Sequence, residues 1–133
     1  MQRLLMVMYR RIISDGIKNS LKGNPDAEVY VEHNYDNAVF AANTYLPNVI
    51  LLEIPENRAW APEPYIRLCA ELKGELPGCK LLLMCPENSR ESKLAAIDAM
   101  RRCMIHDFIY FNVTLDYLLS KLEVFGPGLG SIA

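Results

Sequence analysis

The sequence predicts an α/β domain in which a five-stranded parallel sheet is covered by helices on both faces. Five short segments suited to strands, at 4–8, 28–32, 49–54, 80–85 and 108–111, each precede a stretch whose apolar residues recur at helical spacing. That alternation, without internal repeat or low-complexity block, argues for parallel strands joined by right-handed crossovers. A chain of 133 residues also fits one domain, large enough to bury a core without metal or disulfide staples.

The first strand is the continuous apolar run Leu4-Leu5-Met6-Val7-Met8, ending near Tyr9. Ile12, Ile13, Gly16, Ile17, Ser20 and Leu21 then share one side of a helix, with Arg10, Arg11, Asp15, Lys18 and Lys22 mostly on the other. Gly23-Asn24-Pro25-Asp26 ends it with residues suited to a C-cap and a turn. Residues 28–32 alternate as a strand, and Asn34 or Asp36 can cap a second helix carrying Val39, Ala42 and Leu46. Residues 55–64, which hold the sole tryptophan, Trp60, read as a surface loop. Tyr65, Leu68, Cys69 and Leu72 mark a third helix, ended by Gly74 and Pro77-Gly78. Ser89 is the candidate N-cap of a fourth helix whose apolar side holds Leu94, Ile97, Met100 and Met104; Thr114 caps a last one built on Leu115, Leu118, Leu119 and Leu122. The domain is expected to span 1–125, with the glycine-rich 126–133 a flexible tail or the start of a linker.

Composition narrows the function. Lys plus Arg is 14 and Asp plus Glu is 16, so no electrostatic reason exists to expect nucleic acid or anionic lipid as a direct partner. Cys69, Cys79, Cys85 and Cys103 show no C-x-x-C pairing, which suggests neither a zinc site nor a disulfide framework and favours a reducing, cytoplasmic setting. The apolar runs are far below the length of a membrane span, and the N-terminus enters a strand directly rather than a leader peptide. No cofactor or metal is expected.

The third strand organises the rest. Val49-Ile50-Leu51-Leu52-Glu53-Ile54, bounded by Pro47 and Pro55, is too short for a buried helix and reads as a strand covered on both faces. Its one charge, Glu53, is expected at the C-terminal end, where the chain meets water. In an open parallel sheet that edge is where ligands bind. Cys85 ends the fourth strand, before a loop and a helix start, a setting that can lower a thiol pKa. Cys85 and Arg90 nonetheless lack the spacing and the glycine of a phosphate-binding thiol loop, and a buried structural thiol is the favoured reading. His33 and His106 stand without partners at ligand spacing and read as surface or loop histidines.

The phrases Arg3-Leu4-Leu5-Met6-Val7, Pro47-Asn48-Val49-Ile50-Leu51-Leu52-Glu53-Ile54 and Asp107-Phe108-Ile109 resemble the receiver domains of bacterial two-component response regulators, over about residues 3–125. The resemblance implies a flavodoxin-like sheet in the order 2-1-3-4-5 and a role in signal transduction rather than catalysis. Receivers carry a phospho-accepting Asp after the third strand, an acidic pair after the first for magnesium, a hydroxyl after the fourth and a lysine after the fifth. Here Glu53 takes the acceptor place, Met8 and Tyr9 the acidic pair, Cys85 the hydroxyl place with Ser89 a competing match, and Phe111 the lysine place. Four of the five positions thus lack the needed group and the fifth is changed in length, so a degenerate receiver is expected, one not phosphorylated in the usual way.

Glu53 then has two readings, a permanent stand-in for an acyl phosphate or a solvated carboxylate. The second is favoured, because no lysine or hydroxyl is placed to read a mimic. The resemblance also implies a partner or homodimer surface on the fourth helix, fifth strand and fifth helix, with Arg90, Lys93, Arg101, Arg102, Tyr117 and Lys121. The rival readings are a small thiol-dependent phosphatase or reductase using Cys85, and a structural dimerisation module.

Overall fold

The computed structural model describes residues 1–129. Its elements in order are β1 (Gln2–Val7), α1 (Arg11–Leu21), β2 (Ala27–Glu32), α2 (Ala38–Tyr45), β3 (Val49–Glu53), α3 (Glu63–Glu75), β4 (Lys80–Cys85), α4 (Arg90–Arg101), β5 (Asp107–Tyr110) and α5 (Leu115–Phe125). Short 3-10 turns at Tyr35–Asn37 and Glu56–Arg58 precede α2 and α3. The strands form one sheet in the order β2-β1-β3-β4-β5, and each neighbouring pair is parallel. This is the expected doubly wound architecture.

Strand periodicity of two divides the apolar residues between two cores. Leu5, Val7, Ile50, Leu52, Leu81 and Leu83 face the side covered by α2, α3 and α4. Leu4, Met6, Val49, Leu51, Leu82 and Met84 face the side of α1 and α5. β3 is buried along its whole length, as a central parallel strand covered on both faces must be.

Several helices turn a different face inward than their large apolar residues suggest. α4 buries Ser92, Ala96 and Ala99 and leaves Leu94 and Met100 exposed. α2 buries Ala38, Ala41 and Ala42, while Phe40 is exposed and Leu46 is an exposed C-cap in the left-handed region, φ 51°. The leucines and isoleucines of the strands already fill the layer beneath these helices, so small side chains give the close approach that dense packing requires. On α1, Ile17 and Leu21 are buried but Ile12 is exposed.

The chain after α5 corrects a further expectation. Residues 126–129 are not a free tail: Leu129 is fully buried in the α1–α5 core, Asn24 Nδ2 donates to the Gly128 carbonyl at 2.8 Å, and Gly128 N donates to Glu123 Oε2 at 2.8 Å. Gly126 permits the turn, since a Cβ there would lie 2.5 Å from Leu129 Cδ1 and 2.9 Å from Val49 Cγ2. The rest of the expected tail, 130–133, lies outside the described residues.

Candidate functional site at the C-terminal edge of the sheet

β1 and β3 are adjacent, with Val7 paired to Leu52, so the turn after β1 crosses directly over the end of β3. There Glu53 is buried with no exposed surface, which corrects the expectation of a solvated carboxylate. Its Oε1 accepts from Tyr9 N at 2.7 Å and Arg10 N at 3.0 Å, and its Oε2 accepts from Arg10 Nε at 2.8 Å. Burial is tolerable because the charge is both paired and hydrogen-bonded. The carboxylate also stands at the start of α1, whose N-cap, Arg10, makes no side-chain cap of its own; a negative group there suits the helix dipole.

The pair is framed on two further sides. The Arg10 guanidinium carbon lies 3.9 Å from the centroid of the Phe111 ring, a cation–π contact. The Tyr35 hydroxyl donates to the Glu53 carbonyl at 2.6 Å. Burial, and then the nearby Glu53 charge, push the Tyr35 pKa well up, which keeps this donor protonated. A guanidinium fixed by an aromatic platform thus sits against the strand-end carboxylate.

The other positions implied by the resemblance fall as follows. Met8 is fully buried in the core, with its carbonyl oxygen 2.8 Å from His33 Nδ1, while the Tyr9 side chain is exposed. Cys85 is fully buried, and desolvation pushes its thiol up to about 12, so the thiol-dependent reading is not favoured. Ser89 caps α4 by accepting from Ser92 N at 3.2 Å, and its hydroxyl donates to the Ala59 carbonyl at 3.0 Å. Ser92 Oγ donates to the same carbonyl at 2.8 Å. Two hydroxyls therefore pin the loop after β3 to the start of α4. Phe111 N donates to the Cys85 carbonyl at 3.0 Å, which fixes the base of the ring that carries Arg10.

On the expected partner surface, Arg90, Lys93, Arg101 and Tyr117 are exposed. Arg102 is exposed as well, and two members of the set form ion pairs. Lys121 is half-buried and bound to Asp107 at 2.6 Å, and that hydrogen bond raises its pKa. Arg102 pairs with Asp98 at 3.5 Å and lines the groove between α3 and α4, because it continues the stripe of Leu94 and Asp98 along the helix. His106 is half-buried and structural: its Nδ1 accepts from Leu81 N at 3.0 Å. Desolvation first, then Lys73 and Lys80, lower its pKa.

Arg10, Tyr35 and Ser92 were not singled out by the sequence. Arg10 gave little signal, because three places after β1 it falls on the polar side of an amphipathic pattern, where a cation is ordinarily solvated. Tyr35 and Ser92 carried none.

No protein-family model matches the chain, and no curated protein matches it. Among solved structures, the fold is that of response-regulator receivers. A response regulator from Thermotoga maritima superimposes with a TM-score of 0.74 at 18% identity, covering 93% of this chain and 96% of the other. A CheY-like protein, TadZ, from Pseudomonas aeruginosa gives 0.70 at 15%, covering 95% and 100%. NtrX from Brucella abortus gives 0.74 at 22%, covering 93% of this chain but 26% of NtrX, so the same fold also occurs as part of a longer chain. At these identities the likeness establishes the receiver fold.

Proposed function

We propose that this chain is a receiver-like signalling domain held in one state by the Glu53–Arg10 pair, inert to phosphorylation, and acting through protein contacts. The observation that carries the reading is the engagement of both Glu53 carboxylate oxygens by three N–H donors with no surface left exposed. A carboxylate that attacks a phosphoryl group needs a free oxygen and an approach from solvent, and both are taken by the turn after β1. The transferring oxygens also need charge compensation, which a metal and a lysine supply in receivers.

Magnesium, which the fold family implies, does not fit the groups present. That ion requires hard oxygen ligands in octahedral geometry. Met8 offers a buried thioether, Tyr9 turns its backbone N–H to Glu53, and the nearest cationic space is filled by the Arg10 guanidinium. Arg10 thus supplies internally the positive charge that an ion would bring.

The protein-contact part of the reading rests on the exposed set Arg90, Lys93, Arg101 and Tyr117 on α4 and α5, a charged and aromatic mix suited to an interface with a protein partner or a second copy. Incubation with acetyl phosphate and magnesium, read by intact mass, tests the inertness. The expected result is an unchanged mass. A phosphoryl adduct that Glu53→Gln removes would overturn the reading.

A further inference from the structure

A cavity of about 270 Å3 opens between α1 and α5, beside the Glu53 centre. Ile12, Ile13, Gly16, Phe111, Leu115 and Leu118 line it, and Met84, nearly fully buried in the sheet, is also in the lining. None of its lining residues is charged. Thr114 Oγ1, also in the lining, accepts from Tyr117 N at 3.1 Å, which leaves its hydroxyl hydrogen to be donated elsewhere.

Two features keep this space open without a packing reason. Gly16 lies mid-helix, where glycine is a poor helix former, yet a Cβ built on it meets nothing within 4 Å. Ile12 and Leu115 stand in the same lining as large apolar side chains that are 81% and 40% exposed. A larger residue at position 16 would fill the opening and favour the helix at once. The lining also reaches the centre described above, because the Phe111 ring borders the cavity and carries the Arg10 guanidinium.

We propose that this cavity binds a small, neutral, apolar molecule of about the size of a substituted monocyclic aromatic, and that its occupancy is felt at Glu53 through Phe111 and Arg10. An apolar cavity of ~150 Å3 takes benzene, so the larger space here takes a ring with a short substituent. The uncharged walls exclude an ionic ligand, which would lose its hydration without compensation. A hydrogen-bond acceptor on the substituent matches the Thr114 hydroxyl. Binding stands on the cavity alone, whereas its transmission rests on the proposed reading of Glu53 and Arg10 as a fixed centre.

Titration with acetophenone, followed by amide chemical shifts, tests both parts. Saturable shifts are expected at Gly16 and Val113, with a dissociation constant on the order of 1 mM or tighter, together with shifts at the Tyr9 and Arg10 amides that donate to Glu53. Gly16→Leu, which fills the space, abolishes them, while Gly16→Ala serves as the folded control. Leu115→Trp, which covers the mouth from α5, gives the same loss should Gly16→Leu fail to fold. Absence of saturable shifts, or binding unchanged in the folded filling variants, overturns the proposal. Shifts at the cavity without any at Tyr9 and Arg10 overturn the transmission. None of these outcomes bears on phosphoryl transfer, which the acetyl phosphate experiment reads separately.

Discussion

Arg10→Met isolates the charge at the centre of the site, because methionine keeps an apolar stem to lie on Phe111 and removes only the guanidinium. In the native protein the pair is 2.8 Å apart, with the Glu53 side chain fully buried and that of Arg10 33% exposed. A hydrogen bond to a charged group contributes about 1.5–3 kcal/mol, and the cation–π contact about 0.5–1 kcal/mol. Stranding a buried charge can cost about 3–5 kcal/mol. Two features hold the loss below that upper figure: Glu53 keeps the Tyr9 and residue-10 backbone donors, and water can follow into space that was already one-third open. The expected destabilisation is therefore about 2–3 kcal/mol. In urea this lowers the midpoint by roughly 1–2 M with an unchanged slope. A double-mutant cycle with Glu53→Gln should return a coupling of about 1.5 kcal/mol or more. A coupling under about 0.5 kcal/mol, the value of an exposed pair, would refute the reasoning.

Gly126→Ala places a Cβ against Leu129 and Val49 and should cost about 1–3 kcal/mol; thermal unfolding measures it, and an unchanged midpoint would mean that 126–129 do not pack as described. His106 has a folded pKa below its usual 6.5, so the unfolded chain takes up the proton first. Its contribution is constant above about pH 6.5 and stability declines as pH falls through the window below that value; His106→Gln should flatten the decline, and a slope identical to wild type would assign it elsewhere. On the proposed contact face, Lys93→Glu with Arg101→Glu should weaken self-association in sedimentation velocity while Arg102→Glu leaves it intact. The reverse ranking would move the interface to the groove between α3 and α4.

The strands and the place of Glu53 at the end of the third were legible because buried parallel strands write themselves as short apolar runs bounded by turn residues, as 49–54 and 80–85 do, whereas their order followed from the resemblance to receivers. The helices were less so. Size misled the reading of α4, where Leu94 and Met100 look like core and the space below admits only Ser92, Ala96 and Ala99. At the site, the absences at Met8, Tyr9 and Phe111 were visible as residue types, but the substitute for them was not. Arg10 sits on the polar side of an amphipathic pattern, where a cation is ordinarily solvated, and only the crossing of the β1 turn over β3 brings its guanidinium to Glu53. The same crossing reverses the expectation for the carboxylate itself. A strand-terminal Glu reads as wet until a neighbouring turn closes over it.

The most direct test of the central claim watches the amides that bind Glu53. Labelled protein is titrated with magnesium, then with beryllofluoride as an acyl-phosphate mimic, and the Tyr9 and Arg10 resonances are followed. With both carboxylate oxygens held by Tyr9 N, Arg10 N and Arg10 Nε, both resonances should remain unchanged throughout. A saturable shift of either one that requires magnesium and disappears in Glu53→Gln would contradict the account, since it would mean that the carboxylate leaves its donors to take a metal and a phosphoryl group.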